Sequence, residues 1–170
     1  MSALELLIDH KVNLETKTRN KWRPIHFIMS RSNNFTSGDQ LKAIKRMIEQ
    51  KVSLDAAIKN YWKPIHFACS SSTNLNSDDR IQCIQELVAQ NVDLEAEDSD
   101  RWRPLHFVCN HISPTHLESA IKILKEGKKD LDLDALTDDE SKPIHYMCER
   151  KDLSEDDKFQ LVRLLDSRLN

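Results

Sequence analysis

The apolar residues recur in two linked blocks, four times over. The first block starts at a proline: Pro24-Ile-His26-Phe, Pro64-Ile-His66-Phe, Pro104-Leu-His106-Phe and Pro143-Ile-His145-Tyr. These prolines lie 40, 40 and 39 residues apart, each behind a cation, in Trp22-Arg23, Trp62-Lys63, Trp102-Arg103 and Ser141-Lys142. The second block is Val12-Asn-Leu14-Glu15, Val52-Ser-Leu54-Asp55, Val92-Asp-Leu94-Glu95 and Leu131-Asp-Leu133-Asp134. Proline suits the first turn of a helix, where its missing N–H costs nothing, so each proline is expected to open a short helix. The polar runs Arg31–Thr36 and Ser70–Asn76 end the first two. A second helix is then expected behind the caps Ser37, Ser77, Ser113 and Ser154, with Ser37-Gly-Asp-Gln40 as a capping box and Pro114 at the first helical position. Apolar positions at helical spacing follow, as in Leu41, Ile44, Met47 and Ile48, or Ile81, Ile84, Leu87 and Val88.

Each unit is thus a helix–loop–helix with a long finger, and its apolar face is buried only by stacking on its neighbours. The chain is expected to be an all-α repeat solenoid, one domain over 1–170, with a partial repeat at 1–19 and repeats at about 20–59, 60–99, 100–138 and 139–170. Leu4, Leu6, Leu7 and Ile8 match the second half of a repeat, and Leu164–Asn170 runs toward a further block. The expectation is a segment of a longer array.

These motifs resemble the ankyrin repeat family, whose inner helix begins Thr-Pro-Leu-His. The resemblance covers essentially the whole chain and implies stacked helix pairs joined by β-hairpin or extended fingers. The long, Trp-containing units look like expanded ankyrin families of unicellular eukaryotes. The period exceeds the family's by several residues, mostly between the two helices of the first two repeats and partly around Gly127. Arg23, Lys63, Arg103 and Lys142 stand where the family has threonine. Lys21, Tyr61, Arg101 and Glu140 stand where it has a hairpin glycine. Asn20, Asn60, Asp100 and Asp139 precede them and tolerate left-handed geometry, so the positive φ is expected there, or in turns of another type. The resemblance also implies that Pro24, His26, Pro64, His66, Pro104, His106, Pro143 and His145 are structural, the histidines bonding between units.

Composition narrows the function. Only Gly38 and Gly127 are glycine in 170 residues, and they are isolated, which excludes a P-loop and a dinucleotide-binding turn. The chain is 39% apolar and 31% charged, with net charge −3. No apolar run is long enough to span a membrane, no secretory signal is visible, and the acidic balance argues against nucleic acid. Residues 1–85 carry 13 Lys/Arg against 8 Asp/Glu, and residues 86–170 carry 12 against 20. The fingers drift likewise, from +2 (Glu15, Lys17, Arg19, Lys21) through 0 (Asp55, Lys59) to −3 (Glu95, Glu97, Asp98, Asp100, Arg101) and −4 (Asp134, Asp138, Asp139, Glu140). Solubility accounts for such asymmetry, and so does steering of an oppositely polarised partner.

Candidate chemistry is sparse. The four motif histidines sit one per repeat, at a helix spacing of about 8–10 Å that no single metal bridges. Cys69, Cys109 and Cys148 share a register that the family fills with small buried residues, and Cys83 lies among apolar neighbours. All four are expected to be reduced, in the cytoplasm or nucleus. Cys109-x-His111-x4-His116 lacks a fourth metal ligand, and Asn34-Phe-Thr36 is a glycosylation sequon by pattern alone. Phe35, Leu75 and Ile112 are placed to staple the second helices, or, for Phe35 and Leu75, to meet a partner. No nucleophile is paired with a base, so no catalysis, cofactor or metal is expected. Trp22, Trp62 and Trp102 share one register. They either form a ladder holding the fingers, with the following cations over neighbouring rings, or anchor a partner. The expected function is a monomeric, non-catalytic protein–protein interaction scaffold. Its candidate contact residues are Trp22, Ile58, Tyr61, Trp62, Glu95, Asp98, Asp100, Arg101, Trp102, Asp138, Asp139 and Glu140, facing a protein or peptide that is basic toward the C-terminal half. The alternatives are a reader of basic or methylated lysine through Trp62 or Trp102 with Glu95 or Asp98, and a regulatory array of a larger enzyme.

Overall fold

Each proline-led segment forms a short helix in the computed structural model, which describes residues 10, 12–31 and 34–166. These are α1 (Pro24–Met29), α3 (Pro64–Cys69), α5 (Pro104–His111) and α7 (Pro143–Glu149), numbered among the longer α2 (Ser37–Glu49), α4 (Ser77–Ala89), α6 (Pro114–Gly127) and α8 (Glu155–Leu165). Among the described residues all regular structure is helical, and no strand is formed. Ser113 and Ser154 cap α6 and α8 as expected, but the caps of α2 and α4 are Thr36 and Asn76, one residue earlier than Ser37 and Ser77. Thr36 and Asn76 are themselves good capping types in extended conformation, and their side chains accept the N–H groups of Asp39 and Asp79 (3.3 and 2.9 Å). Gln40 leaves the expected capping box. It is fully buried, donates to the carbonyl of Ile28 at the end of α1 (2.7 Å) and accepts the N–H of Asn74 (2.9 Å).

The short helices pack in succession, α1 on α3, α3 on α5 and α5 on α7, while α2 packs on α4 and α4 on α6. Each short helix also packs on the long helix that follows it. Ile25, Met29, Ile44, Met47, Ile65, Ile84, Leu105, Leu117 and Ile121 fill the seam with almost no exposure. Gly127 is needed for space: a Cβ there would overlap Val88 Cγ1 on α4 and lie 3.2 Å from Leu94 Cδ1. At Gly38 a Cβ would meet nothing within 4 Å. Leu75 and Ile112 are buried and Phe35 half-buried against the core, so Leu75 is not available to a partner. The segments around Leu4–Ile8 and Leu169–Asn170 lie outside the described residues; Val12 is exposed and Leu14 half-buried.

The cysteines are free thiols. Burial pushes the Cys83 thiol up to about 12 and raises those of Cys69 and Cys109 as well, so the reactive thiolate is suppressed. Cys148 departs from its expected buried register and is exposed, because α7 packs on α5 and no further short helix among the described residues covers its other side.

The fingers are closed by three-residue loops. Thr18 N–H donates to Trp22 O and Lys21 N–H returns to Thr18 O (both 2.9 Å), and the pattern recurs at Ile58–Trp62, Asp98–Trp102 and Thr137–Ser141. The third loop residue is left-handed each time: Lys21 (φ 64°), Tyr61 (φ 65°), Arg101 (φ 59°) and Glu140 (φ 57°). This overturns the expectation that Asn20, Asn60, Asp100 and Asp139 carry the positive φ. The third place of such a loop is where a hairpin turns left-handed, so position prevails over residue type. Lys51 and Asn91 take the same conformation just after α2 and α4, a common way to end a helix. An L-residue held left-handed costs roughly 1 kcal/mol. Tyr61 is 60% exposed and loses little packing on truncation. Tyr61→Gly is therefore expected to raise stability by up to about 0.5 kcal/mol after the entropy of a freer unfolded chain is counted. Urea unfolding measures this; a loss of stability would mean the turn is unstrained.

Candidate functional site

The motif histidines are structural clasps. Each stands three residues after the helix cap, where a Glu or Gln often folds back onto the cap N–H. His26 Nδ1 accepts the N–H of Arg23 (3.0 Å), His66 Nδ1 that of Lys63 (2.9 Å) and His106 Nδ1 that of Arg103 (3.0 Å). Because Nδ1 accepts, Nε2 carries the proton and donates it to the carbonyl of Ala56 (2.8 Å), Ala96 (2.9 Å) or Ala135 (3.0 Å), in the finger that leads on to the following short helix. All three rings are fully buried, and burial lowers their pKa values, keeping them neutral. His145 accepts from Lys142 (3.2 Å) but is exposed.

The cations that precede the helix-opening prolines pair with carboxylates instead of lying over rings. Arg23 pairs with Glu15, Lys63 with Asp55 (3.4 Å), Arg103 with Glu95 (2.7 Å) and Lys142 with Asp134 (2.8 Å), always eight residues apart. The same carboxylates reach the following unit: Glu15 accepts the N–H of Ser53 (2.7 Å), Asp55 that of Asp93 (3.1 Å) and Glu95 that of Asp132 (2.8 Å). The last residue of the Val-x-Leu block therefore ties a cap to its neighbour's backbone.

The tryptophans form an aromatic ladder. Trp22 lies 5.0 Å from Phe27 and 5.8 Å from Phe67, Trp62 lies 5.1 Å from both Phe67 and Phe107, and Trp102 lies 5.1 Å from Phe107 and 4.3 Å from Tyr146. Edge and tilted approaches of this kind add about 0.5–1.5 kcal/mol each beyond burial. All three indoles are half-buried.

Several expected contact residues turn out to be internal. Ile58 and Asp98 occupy one register at the first place of their finger turns, and both are buried. Asp98 accepts Trp62 Nε1–H (3.0 Å) and the N–H groups of Asp100 and Trp102 (both 2.9 Å). Glu95 is held by Arg103, and Asp98 and Trp62 satisfy each other, so these residues do not form an open aromatic–acidic cage. Arg101 is exposed but reaches Asp138 and the Thr137 carbonyl (2.9 Å), linking fingers three and four. Tyr61, Asp100, Asp138, Asp139 and Glu140 are exposed.

What stays open on the finger side of the short helices is a cleft of about 460 Å³ walled by Trp22, Trp62, Phe67 and Ile58, with Asn60, Arg31 and Ser72 around it. Exposed Tyr61 sits between two of its lining residues in sequence. Arg31, Phe67 and Ser72 were not singled out from the sequence; Phe67 follows the motif histidine, and its register was the available signal. Among the described residues no group of three or more His, Cys, Asp or Glu side chains is placed to hold a metal ion. No helix among them is long and apolar enough to cross a membrane.

No protein-family model and no curated protein matches this chain. Its function is therefore read from the geometry alone.

Proposed function

We propose that the chain is an ankyrin-type repeat solenoid with hairpin fingers, acting as a non-catalytic scaffold that binds a protein or peptide on the face made by its fingers and short helices. The observation that carries this reading is the aromatic-walled cleft between the first two units, with Tyr61 beside it 60% exposed. Tyrosine and tryptophan are the residue types on which interface affinity concentrates. The regular succession of helix contacts and the carboxylate ties run between neighbouring units, and the histidine clasps bind each short helix to the finger that leads on, which supports the solenoid reading. Exposed Asp100, Asp138, Asp139 and Glu140 favour a partner that is basic where it meets the third and fourth fingers.

A photoreactive phenylalanine analogue in place of Tyr61 is expected to cross-link the partner in cells. The same analogue at Lys122, exposed on α6, is expected to give none. Equal cross-linking from both positions would overturn the assignment of the face. With the partner in hand, Asp139→Asn with Glu140→Gln is expected to slow association several-fold and flatten its salt dependence. Unchanged kinetics would remove the fourth finger from the interface.

A further inference from the structure

Two buried side-chain polar atoms have no hydrogen-bond partner among the described residues, Arg80 Nε and Thr73 Oγ1. They lie at the end of the short helices away from the fingers, where the polar linkers cross to the second helices. Arg80, one turn into α4, is a shared wall of two clefts. One, of about 700 Å³, is also lined by Ser77, Asn110, His111 and Lys151; the other, of about 490 Å³, by Arg31 and Thr73.

Arg80 has no counter-charge. Its Nη2 donates to the Leu75 carbonyl (3.3 Å), and it takes part in none of the ion pairs among the described residues. The carboxylates nearby are engaged elsewhere. Asp78 faces His116 (2.8 Å), Asp79 accepts from Ser37 and Asn76, and Asp152 is held by Arg150 (2.7 Å). Glu149 is exposed at the rim. Arg150 is itself used up, bonding Asp152 and the Cys109 and Ile112 carbonyls. Burial lowers the pKa of His111, and Arg80 and Arg150 push it the same way, so the imidazole beside Arg80 is neutral and the cleft around it is positive. The side chains of Ser77, Asn110 and His111 line the cleft and make no hydrogen bond among the described residues, while the His111 ring stacks on Trp102 and Phe107.

A half-sequestered guanidinium with an unmet donor costs free energy unless an anion completes it. Several neutral donors around a fixed cationic fork suit an oxyanion with acceptors on three sides. We propose that these clefts form an oxyanion site built for a phosphoryl group, with Arg80 as its anchor. The phosphoryl group comes from a free phosphate or from a phosphorylated side chain of a bound peptide. This site does not depend on partner binding at the finger face, although Arg31 also lines the cleft there and His111 stacks on Trp102.

The test follows the backbone amide resonances of Ser77, Asn110 and His111, which line the cleft, in the intact chain while sodium phosphate is added at constant ionic strength. A phosphoserine peptide and its unphosphorylated counterpart are titrated in parallel. A saturable shift is expected, about tenfold weaker in Arg80→Lys, lost in Arg80→Gln and unchanged in Lys59→Ala. Tighter binding of the phosphopeptide than of inorganic phosphate assigns the source to a partner, and equal binding assigns it to a small ion. The proposal is overturned by the absence of saturation up to about 50 mM phosphate and with both peptides. Undiminished binding in Arg80→Gln, or equal binding of the two peptides, overturns it too. Should a variant unfold, the titration of the unaltered chain decides alone.

Discussion

His66→Leu is expected to destabilise the chain by about 3 kcal/mol, whereas the same change at His145 costs under about 1 kcal/mol. Leucine fills much of the imidazole volume, so the loss isolates the polar role. At position 66 it strands two backbone groups, the part-buried N–H of Lys63 and the buried carbonyl of Ala96, each now 2.9 Å from a ring nitrogen. An orphaned buried group costs about 1–3 kcal/mol. His145 is exposed, and water replaces its contact with the Lys142 N–H. Urea unfolding followed by far-ultraviolet circular dichroism compares the two variants. Equal losses would mean that the histidines act by bulk, not as clasps.

Acidification from pH 7.5 to 5.5 is expected to lower the stability of the chain. The pKa values of His26, His66, His106 and His111 all lie below the ordinary 6.5, first because of burial. The sign follows from proton counting. Below 6.5 the unfolded chain protonates these rings while the folded chain does not, so unfolding takes up protons and stability falls with pH. The contribution is whole above 6.5 and is lost as pH falls through the folded values, at up to about 1.4 kcal/mol per pH unit for each ring. Protonating Nδ1 would also set N–H against the cap N–H it now accepts. The measurement is the denaturation midpoint against pH at fixed ionic strength, and a flat profile between 7.5 and 5.5 would count against buried neutral histidines.

The prolines and the apolar spacing were enough to place eight helices, since both act within a single turn. Caps at Thr36 and Asn76 were missed because two adjacent capping residues compete and only the approach of the chain decides between them. The left-handed residues were misassigned for a related reason: residue preference favours Asn and Asp, but the loop's hydrogen bonds fix which position turns. Asp98 and Ile58 looked like surface because fingers are polar on average, yet their register points inward. The recurring carboxylate of the Val-x-Leu block was visible, although its partner eight residues on was not, because the pairing exists only once the finger folds back. Arg80 left no trace in the periodicity, since Gln40 and Leu117 stand at the same place after their caps.

The clasps also bear on how the chain is made. His26 waits for the carbonyl of residue 56 and His66 for that of residue 96, in each case 30 residues downstream. A unit leaving the ribosome therefore cannot close its last buried bonds until the finger that leads to its successor has been synthesised. Folding during translation advances about one unit behind the emerging chain, with the newest histidine always uncovered.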